Sequence, residues 1–396
     1  MHEENLLHPI SNQELERRWQ LMRDEMRERK IDLLVMQNST DHLGGYVKWF
    51  TDLPATNGYP KTVLFPLNDE MTIIEQGPFG GMQKIQPGDP AYRGVVKRLT
   101  NPSYCSANYT RHYNSEQAIK EIEAKSYSRV GLVASAAMYF DFCDHLKRAL
   151  ALKVEFVDAT DFVDHHKAIK SPEEIARLRR TAAMQDEVMA RVAKEMRIGM
   201  RDFEVTALAQ YVGHMLGSEQ GTFNGASAPL GQPSFLHLHR HEQARTLVQG
   251  DHLSLLVENN GFGGFYTELA RTFVFGKASA ELHDGYELVK EAQRHTLDYL
   301  RPGARCRDIF AEYDAFMARR GLPGEKRLYA HGQGYDMVER PLIRDDEPMI
   351  ISENMNIVVH PGFSTKSMFA VVCDNFLVTK GPPERLHATE QKIFEI

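Results

Sequence analysis

The chain has 396 residues, too many for one ordinary hydrophobic core, so two domains are expected. Hydrophobic residues make up 42% and charged residues 26%, as in a globular protein, and a net charge of −7 argues against nucleic acid as the main partner. Without a long apolar run or a signal-type segment, a cytoplasmic protein with no membrane partner is expected; the scattered cysteines Cys105, Cys143, Cys306 and Cys373 form no CxxC pair, which excludes a zinc ribbon.

In chain order, Trp19, Met22 and Met26 recur at helical spacing and predict a helix over 14–29. It runs into Ile31-Asp32-Leu33-Leu34-Val35-Met36, a short apolar run that reads as a buried strand. Strands at 61–65, 71–74 and 130–133 alternate with helices at 115–125 and 140–150, which makes residues 1–165 an α/β domain. Lys170-Ser171-Pro172-Glu173-Glu174 then reads as a helix start, with Ser171 at the N-cap, Pro172 in the first turn and Glu174 closing a capping box. That helix extends to about 196, and a second covers 202–216. The character changes to strands over 235–275. A third helix, 280–300, stops at Arg301-Pro302-Gly303, because proline cannot continue it, and a fourth covers 306–320. The last sixty residues read as strands with glycine and proline turns. Helices followed by strands, twice over, describe an α+β domain of two similar halves across 166–396.

The motifs of this second region resemble those of the pita-bread superfamily (methionine aminopeptidase, prolidase, creatinase). Lys170-Ser171-Pro172-Glu173-Glu174-Ile175 resembles the linker-helix start of prolidases and creatinases. Gly250-Asp251 and then Gly264-Phe265-Tyr266-Thr267-Glu268-Leu269-Ala270-Arg271-Thr272-Phe273 resemble the first metal-bearing hairpin. His331-Gly332-Gln333-Gly334, His360-Pro361-Gly362 and Cys373-Asp374-Asn375 stand where the family has its histidine, its Glu-Pro-Gly and its last glutamate. The resemblance implies a creatinase-type N-terminal α/β domain and a pita-bread catalytic domain.

It also implies five metal ligands, which carry over unevenly. The second aspartate falls on Glu268. Counting back the usual eleven positions puts the first on Val257, or on Leu256 with a one-residue insertion, and neither binds a metal. The histidine is His331, and the two glutamates are replaced by His360 and Cys373. A bridged pair of hard cations needs several carboxylate oxygens, so a dinuclear centre is not expected. Two readings stay open. In one no metal is bound, as in creatinase, whose key histidine falls on His239, eleven residues before Gly250; an imidazole there is a general acid/base near neutral pH. In the other, Glu268, His331, His360 and Cys373 hold one divalent transition metal, zinc or iron.

His239, Glu268, His331, His360 and Cys373 are therefore the candidate catalytic residues; Cys373 as a nucleophile would use His331 or His360 as its base. Glu258, just past the missing aspartate, Tyr266 in the hairpin, and Glu339 and Arg340 are candidates for substrate binding. The last two belong to a run resembling the family's His-Glu-x-Pro, with Val338 in place of its histidine. Lys61 and Arg111 are weaker candidates for a substrate carboxylate. The carboxylates that bind creatine's guanidinium fall on Ala270 and His360, so creatine itself is not expected. The expected activity is hydrolysis of a C–N bond (amide, cyclic amidine or lactam) in a small carboxylate-bearing molecule. A single-metal lyase or hydrolase similar to dimethylsulfoniopropionate lyase, an Xaa-Pro peptidase and a non-catalytic binding module are the alternatives. The resemblance further implies a homodimer.

Overall fold

The computed structural model describes residues 9–40, 42–43, 45–55, 58–236 and 242–396. They divide into two compact units, Pro9–Lys167 and Ala168–Ile396.

The first unit opens with helix α1 (Asn12–Arg29), capped by the Ser11 hydroxyl, which accepts from the Glu14 N–H at 3.1 Å. Its seven-stranded sheet uses β1 (Leu33–Asn38), β2 (Lys61–Pro66), β3 (Met71–Gln76), β4 (Gly81–Lys84), β5 (Val95–Asn101), β6 (Arg129–Leu132) and β7 (Glu155–Asp158), in the order β4-β5-β3-β2-β1-β6-β7. Helices α2 (Tyr46–Thr51), α3 (Tyr113–Ala124) and α4 (Phe140–Leu150) accompany it, and α5 (Thr160–Ala168) ends the unit. β1 is buried along its whole length because it is covered on both faces; this is the continuous apolar run seen in the sequence. Ala118, Ile122, Phe142 and Leu146 of α3 and α4 pack on Leu33, Val35 and Val130. β4, β5 and β7 are additions to the predicted strands. β5 carries Lys97 and Arg98 in its middle, so its hydrophobic signal is weak, and it is held by pairing with β3 and β4.

The second unit starts with α6 (Pro172–Glu195), whose capping box is formed as expected: Ser171 N–H donates to Glu174 Oε2 at 2.7 Å, and Glu174 N–H donates to Ser171 Oγ at 3.2 Å. Then come α7 (Asp202–Met215), β8 (Gly221–Pro229), β9 (Asp251–Asn260), β10 (Tyr266–Val274), α8 (Ala280–Tyr299) and α9 (Cys306–Ala318). The remaining strands are β11 (Ala330–Gly332), β12 (Glu339–Leu342), β13 (Asn356–Val359), β14 (Gly362–Ser364), β15 (Phe369–Val371), β16 (Asp374–Leu377), β17 (Glu384–Arg385) and β18 (Phe394–Glu395). They form a four-stranded sheet, β18-β10-β9-β8, a five-stranded sheet, β12-β11-β13-β16-β17, and the hairpin β14-β15. This is the twice-repeated helix-then-strand pattern.

Two details of this pattern differ from expectation. Phe235 lies in irregular chain, not in a strand, and β8 was not foreseen. β8 is made of Gly, Thr, Asn, Ala, Ser and Pro with one Phe, and is a strand because backbone fits backbone closely. A Cβ on Gly221 would lie 2.4 Å from Asn259 Cα and 2.6 Å from the Glu258 carbonyl oxygen. Among the described residues no helix is long and apolar enough to cross a membrane.

Candidate active site

The hairpin β9–β10 sets the site by its register. Glu258 lies opposite Glu268, Val257 opposite Leu269, and Leu256 opposite Ala270. Side chains alternate between the faces of a strand, so neighbouring positions have opposite fates. Leu253, Leu255, Val257, Leu269 and Phe273 pack against Val188, Met189 and Val192 of α6 and Val205 and Ala209 of α7. Leu256, Glu258, Glu268 and Cys373 line a cavity of about 590 Å³ on the other side. Val257 is a core residue, and Glu258 supplies a carboxylate from the next position, on the correct face.

The second sheet meets the first through a bridge between Ala270 and Cys373, the Ala270 N–H donating to the Cys373 carbonyl at 3.3 Å. It brings His331 from β11 and His360 from the end of β13, with their rings 5.2 Å apart. Donor atoms of Glu268, His331 and His360 all lie within 4.8 Å of one another, so these three residues could hold a metal ion. Cys373 is on the cavity wall but outside that group; its sulfur is 3.5 Å from the Glu268 carbonyl oxygen. Burial, reinforced by the charge on Glu268, raises the Cys373 pKa well above the ordinary thiol value, so it is a neutral S–H donor.

The electrostatics of the pocket call for positive charge at one place. His331 Nδ1 is 2.9 Å from the Gly332 carbonyl oxygen, which can only accept, so the proton is on Nδ1. The Nε2 lone pair then faces Glu268 Oε2 at 3.9 Å, acceptor against acceptor. Burial lowers the His331 pKa to about 4, so the ring does not supply a second proton at neutral pH. Glu258 and Glu268 are both buried. Burial pushes Glu268 up to about 7, and burial together with the Glu268 charge raises Glu258 well above the usual carboxylate range. Burial and mutual repulsion therefore favour a protonated form of this pair. A shared proton or a bound cation satisfies this arrangement; with a cation, an imidazole whose other nitrogen is anchored to a carbonyl is a good ligand.

The carboxylates are held by an amide network absent from the sequence reading. Gln333 Nε2 donates to Glu258 Oε1 and to the Met337 carbonyl, both at 2.9 Å, and approaches Glu268 Oε2 at 3.4 Å. Gln333 Oε1 accepts from Asn375 Nδ2 at 2.9 Å, and Asn375 Oδ1 accepts the Glu268 N–H at 2.7 Å. Both amides sit inside the motifs His331-Gly332-Gln333-Gly334 and Cys373-Asp374-Asn375. The available signal was two uncharged polar residues in otherwise buried strands.

Other expected site residues lie elsewhere. Tyr266 is fully buried at the start of β10, away from the cavity wall, its N–H donating to the Gly334 carbonyl at 2.7 Å. Glu339 forms a buried ion pair with Lys170 at 2.7 Å, and Arg340 pairs with Glu347 at 2.6 Å; neither lines the cavity. Glu268 does not pair with Arg271, which instead pairs with Asp374 at 2.7 Å. Lys61 is held by Glu75 at 3.3 Å, and Arg111 is exposed near Asp141. His239, with His237 and His241, lies outside the described residues.

Two sheets enclosing a cavity between a carboxylate-bearing hairpin and a histidine-bearing sheet define a pita-bread hydrolase. The chain belongs to metallopeptidase family M24, whose model matches residues 176–380. It is 26% identical to an Xaa-Pro dipeptidase of Pyrococcus horikoshii over 65% of this chain and 73% of the relative. It is 23% identical to the creatinase of a Bacillus species over 89% of this chain and 82% of the relative. The crystal structure of an X-Pro aminopeptidase from Thermotoga maritima superposes with a TM-score of 0.77, covering 96% of this chain and 99% of the other at 16% identity, which shows a shared fold.

Proposed function

We propose that this M24 hydrolase uses a single metal ion to cleave the C–N bond of a small, carboxylate-bearing amide. The observation that carries the reading is the group Glu268, His331 and His360, two imidazoles and one carboxylate in one cavity. Such donors suit zinc or ferrous iron better than magnesium or calcium. Glu268, His331 and His360 would hold the ion, and when bound it would polarise a carbonyl and acidify water. The residues around it do the rest. Burial and the neighbouring Glu268 raise the Glu258 carboxyl above the usual carboxylate range, which suits it to protonate a leaving nitrogen. Gln333 and Asn375 fix the carboxyl groups, which limits reorganisation during reaction. Cys373 stays a neutral donor and wall residue, not a nucleophile. His239 remains a second candidate acid/base on sequence position alone.

Xaa-Pro dipeptides are the first substrates to test, because the dipeptidase relatives act on them by name. Non-peptide amides are the second reading. Val338 favours it, since this cavity residue replaces a histidine expected in the peptidases and leaves an apolar wall there. The test is metal analysis of the purified protein, followed by turnover assays on Xaa-Pro dipeptides, lactams, cyclic amidines and betaines with and without added zinc or iron. One metal per chain and chelator-sensitive C–N cleavage are expected. Two metals per chain, or undiminished turnover after strong chelation, would refute the reading.

A further inference from the structure

The first unit holds a cavity of its own, of about 700 Å³, bounded by α1, the turn between β2 and β3 and the end of α3. That volume is ordinary for a small-molecule site. Leu33 of β1, Leu64 of β2 and Val96 of β5 give it an apolar floor. Its rim is charged, and most of the charges are matched. Lys97 binds Glu121 at 2.7 Å, Lys125 binds Asp69 at 3.0 Å, and Arg27 binds Asp24 at 2.5 Å. Two opposite charges of the lining, Arg23 and Glu70, are left over: among the described residues neither makes an ion pair. Arg23 donates from Nη2 to the Asp69 carbonyl at 3.0 Å and its guanidinium rests on the Phe65 ring at 5.2 Å, but its buried Nε has no hydrogen-bond partner. Glu70 raises the Arg23 pKa, against the lowering by burial and by Arg27, so the two leftover charges lie in each other's field without touching. A half-buried cation without a counter-ion is costly. A carboxylate and an ammonium held apart on one small molecule would match both charges at once, and an apolar body would cover the floor.

We infer that this cavity binds a free α-amino acid with an apolar side chain, its carboxylate on Arg23, its ammonium on Glu70 and its side chain over Leu33, Leu64 and Val96. The inference concerns the first unit alone and is independent of the hydrolase reading.

The test follows the tryptophan fluorescence of the full chain. Its two tryptophans, Trp19 and Trp49, are both in the first unit, and Trp19 lines an adjoining cavity that shares Glu70. The probes are L-leucine, L-leucinamide, which lacks the carboxylate, and N-acetyl-L-leucine, which lacks the ammonium. A saturable response to leucine is expected, with each analogue bound at least about 10-fold more weakly. Arg23→Gln should weaken leucine binding to the level of leucinamide, and Glu70→Gln to the level of N-acetyl-leucine. Glu268→Gln, altered in the cavity of the second unit, should bind leucine as wild type does. Thermal unfolding of each variant verifies folding. Glu70 is exposed, so its variant decides the matter even where Arg23→Gln does not fold. No saturable response, equal affinity for the three probes, undiminished leucine binding in either folded variant of this cavity, or its loss in Glu268→Gln would overturn the inference.

Discussion

Two buried acidic clusters sit side by side in the second unit, and they are built on opposite principles. Arg271 and Asp374 form a fully buried ion pair in which the guanidinium also donates to the carbonyls of Ala270, Cys373, Thr389 and Glu390, and Gln391 donates to Asp374. Every charge there is matched. Glu258 and Glu268, opposite each other in the β9–β10 register, are ion-paired with no lysine or arginine among the described residues. A fold that can build the first arrangement has no structural reason to build the second. Uncompensated buried acids of this kind mark functional sites, where the missing charge is supplied by a proton, a metal or a substrate.

The comparison can be broken in several places. The largest effect is expected at the matched cluster. Arg271→Met leaves Asp374 buried without its cation and should destabilise the fold by about 3–5 kcal/mol in urea unfolding; a loss below about 1 kcal/mol would show that Asp374 is neutralised otherwise.

His387 belongs to the same cluster. It is buried, with Nε2 2.9 Å from Gln185 Oε1 and Nδ1 accepting the Asn375 N–H at 3.3 Å, and burial lowers its pKa to about 4. Between pH 6.5 and 4 the unfolded chain binds a proton that the folded chain refuses, so this contribution to stability is present above 6.5 and falls as pH drops. The stability advantage of wild type over His387→Gln should shrink by on the order of 3 kcal/mol across that window. An advantage that stays constant with pH would contradict the neutral assignment.

The unmatched cluster should respond the other way. Glu268→Gln removes one of two repelling acids, so thermal stability of the metal-free protein should hold or rise, while zinc affinity by competition titration falls at least about 100-fold. A large stability loss with unchanged zinc binding would place Glu268 in the structural class. The smallest effect is expected at the amide clamp, where Gln333→Leu should weaken zinc binding about 10-fold, with Gln333→Asn intermediate; unchanged affinity would mean that the clamp does not position the carboxylates.

Much of this protein was legible residue by residue. Ser171, Pro172 and Glu174 fix a helix start with local interactions alone, and Arg301-Pro302-Gly303 ends another for the same reason. The Leu33–Met36 run announced a strand covered on both faces. Motif order placed Glu268, His331, His360 and Cys373 in one pocket, and all four line it. Expectations failed where a long-range partner decides. Glu339 and Arg340 looked like substrate ligands until Lys170 and Glu347 took their charges. β8 has almost no apolar signal and exists because Gly221 lets it approach β9.

The sequence by itself determined the helix boundaries, the order of the strands' motifs and the identity of the donors, because caps, proline and hydrophobic period act over a few residues. Tertiary structure decided which donors meet. A side chain's face depends on pairing register, and a shift of one position separates Val257 in the core from Glu258 in the cavity. It also decided which charges remain unmatched, since that depends on partners far away in the chain, 169 residues for Lys170 and Glu339.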